Sequence, residues 1–157
     1  MAVSKAAEAG YIKEFTVASN DNTGNISMVG GLVNFQYFES IMDNTVKVSA
    51  VFNDTGNSIN GKTARSGLPI VTEEKVTIKI EDNNKNTLEF SDKKNNPLFI
   101  KNCTPLSEDT RKEVLNLYCV SGEAIKNSRV VLRSRFDGKI SDSVKEIVTG
   151  KQLVVQI

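Results

Sequence analysis

Thr45-Val-Lys-Val-Ser-Ala-Val-Phe-Asn53 is the stretch that decides the fold, because apolar and polar residues alternate along it. Every second residue from Val46 to Phe52 is apolar, the period of two that is typical of a half-buried β-strand. The same alternation returns in Lys75-Val-Thr-Ile-Lys-Ile80. The sequence therefore predicts two strands that each place one side in a core.

Polar runs between strand-like segments predict hairpins. Residues 81–86 form a predicted turn, after which Leu88 and Phe90 resume the strand. A second hairpin is predicted, with its turn at Pro105–Asp109. On its second arm, one side carries Leu115, Leu117 and Cys119. The remaining predicted strands are Ile12–Ala18, Gly31–Phe38, Leu98–Thr104 and Arg111–Val120.

Helical patterns are few. Ile140–Thr149 has apolar residues at helical spacing, with Ser143 and Glu146 as a capping box, or Ser141 as the cap, and Gly150 at its end. One or two helical turns are predicted at Ser121–Lys126. Few of the connections are long enough for parallel crossovers, which favours an antiparallel barrel or sandwich. We expect an all-β or mainly β fold, an antiparallel β-barrel of six to seven strands.

The predicted domain organisation has three parts. Residues 1–10 are a flexible N-terminus, residues 11–139 form the barrel, and residues 140–157 form a helix and tail that begin a following domain. The start of the chain lacks the apolar run of a signal peptide, and no window reaches the length of a membrane span. We expect no membrane partner.

Charge and composition exclude several classes of function. Twenty basic and nineteen acidic side chains give a net charge of +1, which lacks the basic field of nucleic-acid-binding proteins. The absence of histidine removes the commonest general base and metal ligand. We expect no enzyme activity, no cofactor, no metal, no nucleic acid and no small-molecule substrate.

Gly56-Asn-Ser-Ile-Asn-Gly61-Lys62-Thr63 matches the P-loop pattern letter for letter. A P-loop also needs a helix after the match, because the helix N-terminus forms part of the phosphate site. Gly67 and Pro69 follow so closely that at most one helical turn fits. The stretch is therefore interpreted as a polar loop.

Two other patterns resemble chemistry but have structural explanations. A turn centred near Ser107 would place Cys103 opposite Lys112 and Cys119 opposite Asn96, so two separate free thiols are predicted. The carboxylate pairs Glu73-Glu74 and Glu81-Asp82 are adjacent on strands and point to opposite sides. They are interpreted as solvated edges and turns.

Basic residues provide the candidate contact sites. Arg129, Arg133 and Arg135 share one side of a predicted strand, where they form either a solvated face or an interface for carboxylates. The loop from Asn53 to Pro69 adds Lys62 and Arg65. These five side chains are the predicted interface residues.

Three stretches, taken in order, carry a resemblance to a known family: Phe38-Glu-Ser-Ile-Met-Asp-Asn-Thr-Val-Lys-Val-Ser-Ala-Val-Phe-Asn-Asp54, Gly67-Leu-Pro-Ile-Val-Thr-Glu-Glu-Lys-Val-Thr-Ile-Lys-Ile80 and Ser128-Arg-Val-Val-Leu-Arg-Ser-Arg-Phe-Asp-Gly-Lys-Ile-Ser-Asp-Ser-Val-Lys-Glu-Ile147. They resemble the first β-domain of central baseplate hub proteins of T-even-like contractile phage tails. The match spans residues 11–150 through loose structural motifs, and related domains occur in type VI secretion spike proteins.

The resemblance implies an antiparallel barrel, duplicated in a longer hub whose trimeric ring joins a six-fold tail tube to a three-fold spike. The chain would assemble in the host cytoplasm into a virion baseplate, with itself, tube and spike proteins as partners. Its early end predicts a fragment or a short relative. The alternatives are an adhesin-like, surface-binding β-domain with an aromatic-lined pocket and, more distantly, a nucleotide-binding P-loop protein.

Overall fold

A computed structural model describes residues 10–21, 24–56, 61–68, 70–109, 112–131, 137–149 and 154–155. The chain divides into two compact units, Met1–Gly122 and Glu123–Ile157. The first unit contains one eight-stranded sheet in the order β2-β1-β5-β7-β8-β4-β3, with β6 paired to β5. All strand pairs are antiparallel, so the mainly β, antiparallel prediction is confirmed.

The strands of this sheet lie close to the segments that alternation predicted. Their bounds are β1 Tyr11–Ala18, β2 Asn25–Ser27, β3 Leu32–Phe38, β4 Lys47–Asp54, β5 Lys75–Glu81, β6 Thr87–Phe90, β7 Leu98–Glu108 and β8 Glu113–Ser121. A four-residue helix, α1 (Ala64–Gly67), lies between β4 and β5, and 3-10 turns lie at Val29–Gly31 and Asp92–Lys94. The predicted hairpin of β5 and β6 is confirmed, with Ile78 opposite Phe90.

The predicted closed barrel of six to seven strands is wrong. The sheet has eight strands, and no described strand pair joins β2 at one end to β3 at the other. Side chains meet near the two ends instead: the rings of Phe15 on β1, the neighbour of β2, and Phe35 on β3 lie 6.3 Å apart at 77°. An edge-to-face ring contact packs two surfaces together but leaves the strand edges unpaired.

The first unit contains an apolar core. The alternating side chains of β4, β5 and β8 supply much of it, including Val48, Ala50, Val76, Ile78 and Leu117, all fully buried. The core extends to β1 and to the β1–β3 connection through Phe15 and Met28, which are also fully buried. The period-two pattern of the sequence is therefore the pattern of core contacts.

The second predicted hairpin exists, but its turn and register were predicted wrongly. β7 continues through Pro105 to Glu108, so that Glu108 lies opposite Glu113 and Cys103 lies opposite Leu117. Proline is tolerated because β7 pairs with β5 only at Leu98 and Phe99, and the ladder has a bulge between Pro105 and Ser107. A proline in an edge segment removes no ladder hydrogen bond on its unpaired side.

The register changes the position of the cysteines. Cys119 lies opposite Ile100, and Cys103 lies opposite Leu117. The predicted opposite residues, Lys112 for Cys103 and Asn96 for Cys119, are therefore wrong, while both cysteines are free thiols as expected. Burial raises the pKa of both thiols, that of Cys119 to about 12, which keeps them protonated at neutral pH.

The second unit contains most of helix α2 (Gly122–Ser128), a two-stranded ladder of β9 (Val130–Val131) and β10 (Val154–Val155), and helix α3 (Ile140–Val148). The predicted C-terminal helix is confirmed, but its predicted caps are wrong. Lys139 occupies the cap position without a side-chain hydrogen bond, and the Ser143 hydroxyl donates to the Lys139 carbonyl at 3.5 Å. Gly150 lies outside the described residues.

Candidate functional site

The loop after β4 is fastened to the sheet by a buried carboxylate, Asp54. Asp54 is fully buried and accepts hydrogen bonds from the Gly56 N–H, at 2.9 Å, and from the Ala64 N–H. Thr63 caps α1, and its hydroxyl accepts the Ser66 N–H at 3.3 Å. Both ends of the loop are thus held by side chains of the chain itself.

This arrangement explains why the P-loop pattern has no P-loop geometry here. Thr63 leads into a helix of four residues, which confirms the expected limit of one turn. The Ala64 N–H group, which at this position of a P-loop would face phosphate, donates instead to Asp54, and the Ser66 N–H donates to Thr63. A fully buried carboxylate beside the helix start also opposes an anion. Lys62 is exposed on this loop.

Arg65, a predicted interface residue, is committed to contacts within the chain. Its Nε lies 2.8 Å from Glu113 Oε1, and its Nη2 lies 3.1 Å from Glu108 Oε1. Glu113 lies opposite Glu108 on β7 and opposite Asp54 on β4, so three acidic residues stand in a row across the sheet. The guanidinium therefore offsets part of the charge of this row through Glu108 and Glu113 and fastens α1 to the β7–β8 hairpin.

In the ion pair of Arg65 with Glu113, Glu113 is the more buried residue. It is 2% exposed, and burial raises the pKa of its carboxyl, an effect that Arg65 opposes. A cleft of about 240 Å³ adjoins the pair. The cleft lining is polar and contains no aromatic ring; it consists of Thr63, Arg65, Ser66, Glu108, Asp109 and Glu113. This lining differs from the aromatic pocket expected of the adhesin-like alternative.

The predicted basic stripe is only partly described. Arg129 is exposed just after α2, and its N–H donates to the Lys126 carbonyl at 3.2 Å. Arg133 and Arg135 lie outside the described residues. The structure therefore places Lys62 and Arg65 on one loop of the first unit and Arg129 in the second unit.

The two carboxylate pairs have different outcomes. Glu81 pairs with Lys13 at 2.8 Å, but it lies on β5 between β1 and β6, so its interpretation as an edge residue is wrong. Asp82 accepts the Asn84 N–H at 2.8 Å, as a turn residue should. Glu74, in contrast, is 1% exposed, so its interpretation as a solvated residue is wrong. Its alternation with Val76 was the signal for burial, because residues two apart on a strand share a side.

The β3–β4 connection contains a surface that the sequence analysis missed. Ile41 and Met42 are 101% and 91% exposed at the tip of the connection. The tip is ordered by hydrogen bonds from the Asp43 N–H to the Ser40 carbonyl, at 3.0 Å, and from the Met42 N–H to the Ser40 hydroxyl, at 3.2 Å. Two apolar residues at the centre of a turn, where polar residues or glycine are usual, were the available signal.

Within the described residues, the chain has neither a cluster of metal ligands nor a helix that could span a membrane. No group of three or more Cys, Asp or Glu side chains there is placed to hold a metal ion. None of the helices in the same part of the chain combines the length and apolar character that crossing a bilayer requires.

Comparison of the chain with protein-family models, with curated proteins and with solved structures returned no match.

Proposed function

We propose that this chain is a structural, non-enzymatic module of a contractile phage-tail baseplate hub, assembled in the host cytoplasm and carried in the virion. One observation carries the proposal: the eight-stranded sheet is open, and its terminal strands β2 and β3 each have a side that pairs with no described strand. Unpaired strand edges offer N–H and C=O groups to neighbouring proteins. Tail tube and spike proteins are the proposed neighbours.

The family part of the proposal comes from the three resembling stretches. The first stretch covers the exposed β3–β4 tip and β4, and the second covers the end of α1 and β5. Both combine a connection with a central strand of the sheet, which suits a module that holds contact loops on a rigid support.

Native mass spectrometry of the purified chain, mixed with the tube and spike proteins encoded beside its gene, tests this function. We expect complexes that contain the chain with each partner. The mixture of tube and spike proteins alone is the control for their competence. Failure of the chain to join either protein, while those proteins assemble normally, would contradict the hub function.

A further inference from the structure

Strand β3 ends the sheet with an unpaired edge. It pairs with β4 on one side, and no strand in the described ranges pairs with its other side. From Asn34 to Phe38 its register with β4 is continuous, after a bulge near Val33. Five successive residues are therefore held in regular strand geometry with backbone groups available to another strand.

The other free edges among the described residues carry features that oppose pairing, whereas the stretch of β3 after its bulge, Asn34 to Phe38, does not. The one-sided part of β7 contains Lys101, Pro105 and Glu108 and a bulge. β2 is only three residues long. β3, Leu-Val-Asn-Phe-Gln-Tyr-Phe, contains neither a charge nor a proline. Charge, proline, bulges and short length are the usual protection of edges, so β3 is the least protected of these edges.

Exposed apolar side chains continue along this edge into the adjoining turn. Val33 is 68% exposed and Phe38 is 51% exposed, and the turn adds Ile41 and Met42, which are almost fully exposed. On the core side, Phe35 is only half-buried. An additional strand beside β3 would cover apolar surface on both sides of the sheet.

We propose that the occupant of this edge is β3 of a second copy of the chain, paired antiparallel about a two-fold axis. A two-fold axis places β3 opposite itself, so a strand with like charges would repel its copy, and β3 has no charge. Antiparallel pairing also lays the turn of each copy, with Ile41 and Met42, beside the start of β3 in the other copy, where Val33 is exposed. The pairing goes beyond the proposed function because it requires no tail protein.

Sedimentation velocity over a range of concentrations tests the pairing. The 17.2-kDa chain should sediment as a dimer. Gln36→Lys, at an exposed position in the middle of β3, should weaken the dimer about tenfold or more, because the two-fold axis brings the two lysines together. Ser27→Lys, at an exposed position of β2, is the matched control and should leave the dimer unchanged. Circular dichroism would verify that both variants fold.

Each outcome decides the proposal. A dimer weakened by Gln36→Lys and not by Ser27→Lys supports it. A monomer at every concentration, a trimer, or a dimer that both lysine variants leave intact overturns it. A monomer that still joins tube and spike proteins would reject the β3 pairing while retaining the hub function, so the two proposals fail separately.

Discussion

At the scale of single residues, Glu74 makes the stability of the first unit depend on pH. Its side chain is 1% exposed, and its Oε2 has no hydrogen-bond partner among the described residues. Burial raises the pKa of the carboxyl from 4.5 to about 7; the Val71 N–H opposes this rise, and Asp21 adds to it. The folded state therefore binds this proton more tightly than the unfolded state, and stability should fall as the pH rises from about 4.5 to about 7.

Glu74→Gln should remove this pH dependence, because an amide cannot ionise. Relative to the parent chain, the variant should gain up to about 3 kcal/mol of unfolding free energy between pH 4 and pH 8. Urea denaturation at a series of pH values measures the difference. Glu73→Gln, at the neighbouring exposed position, is the control and should retain the parent slope. A Glu74→Gln variant with the parent slope would show that another group is responsible.

At the scale of elements, the turn before β3 depends on one glycine and not on its neighbour. A Cβ at Gly31 would lie 2.4 Å from the Asn53 carbonyl oxygen and 2.4 Å from the Phe52 ring, whereas a Cβ at Gly30 would meet nothing within 4 Å. Gly31→Ala should therefore separate the turn from β4 and lower the unfolding free energy by about 1–3 kcal/mol. Gly30→Ala should change it by less than about 0.5 kcal/mol. Equal losses in urea denaturation would contradict this explanation.

Strands could be predicted from the sequence where the alternation of apolar and polar residues is clear within the strand itself. They were harder to predict where their limits depend on pairing with strands distant in sequence. Alternation alone located β4 and β5, because each of these strands has one side in the core. It missed β2, since three residues are too few to show a period. It ended β7 too early, because a proline at Pro105 indicates a turn until the one-sided pairing of that strand is known.

The candidate site shows the same limit. Lys62 and Arg65 were correctly assigned to one loop, but Arg65 contacts Glu108 and Glu113, which only the pairing of β7 and β8 brings together. The spacing of these residues in the sequence did not indicate that Arg65 contacts the two glutamates. The sequence also did not indicate whether the sheet closes into a barrel. Closure depends on whether the terminal strands, β2 and β3, pair with each other, and no local sequence pattern reports that pairing.

At the scale of the whole sheet, strand order predicts where the structure opens last. β8 pairs with β4 continuously from Val120 to Glu113 and with β7 on its other side, so its amides lie in the middle of the sheet. β2 and β6 are three and four residues long and each pairs with a single strand. Opening of a short terminal strand breaks few contacts, whereas exposure of β8 requires the loss of much of the core.

Hydrogen–deuterium exchange should therefore give a graded pattern across the sheet. We expect the amides of β4 and β8 to exchange slowest, at rates set by global unfolding, and those of β2 and β6 to exchange faster through local opening. Added urea should accelerate β8 strongly, because its exposure requires a large increase in solvent-accessible surface, and should affect β2 much less. Equal protection of β2 and β8, with equal urea dependence, would mean that the open sheet unfolds as one unit and that its ends are as firmly held as its centre.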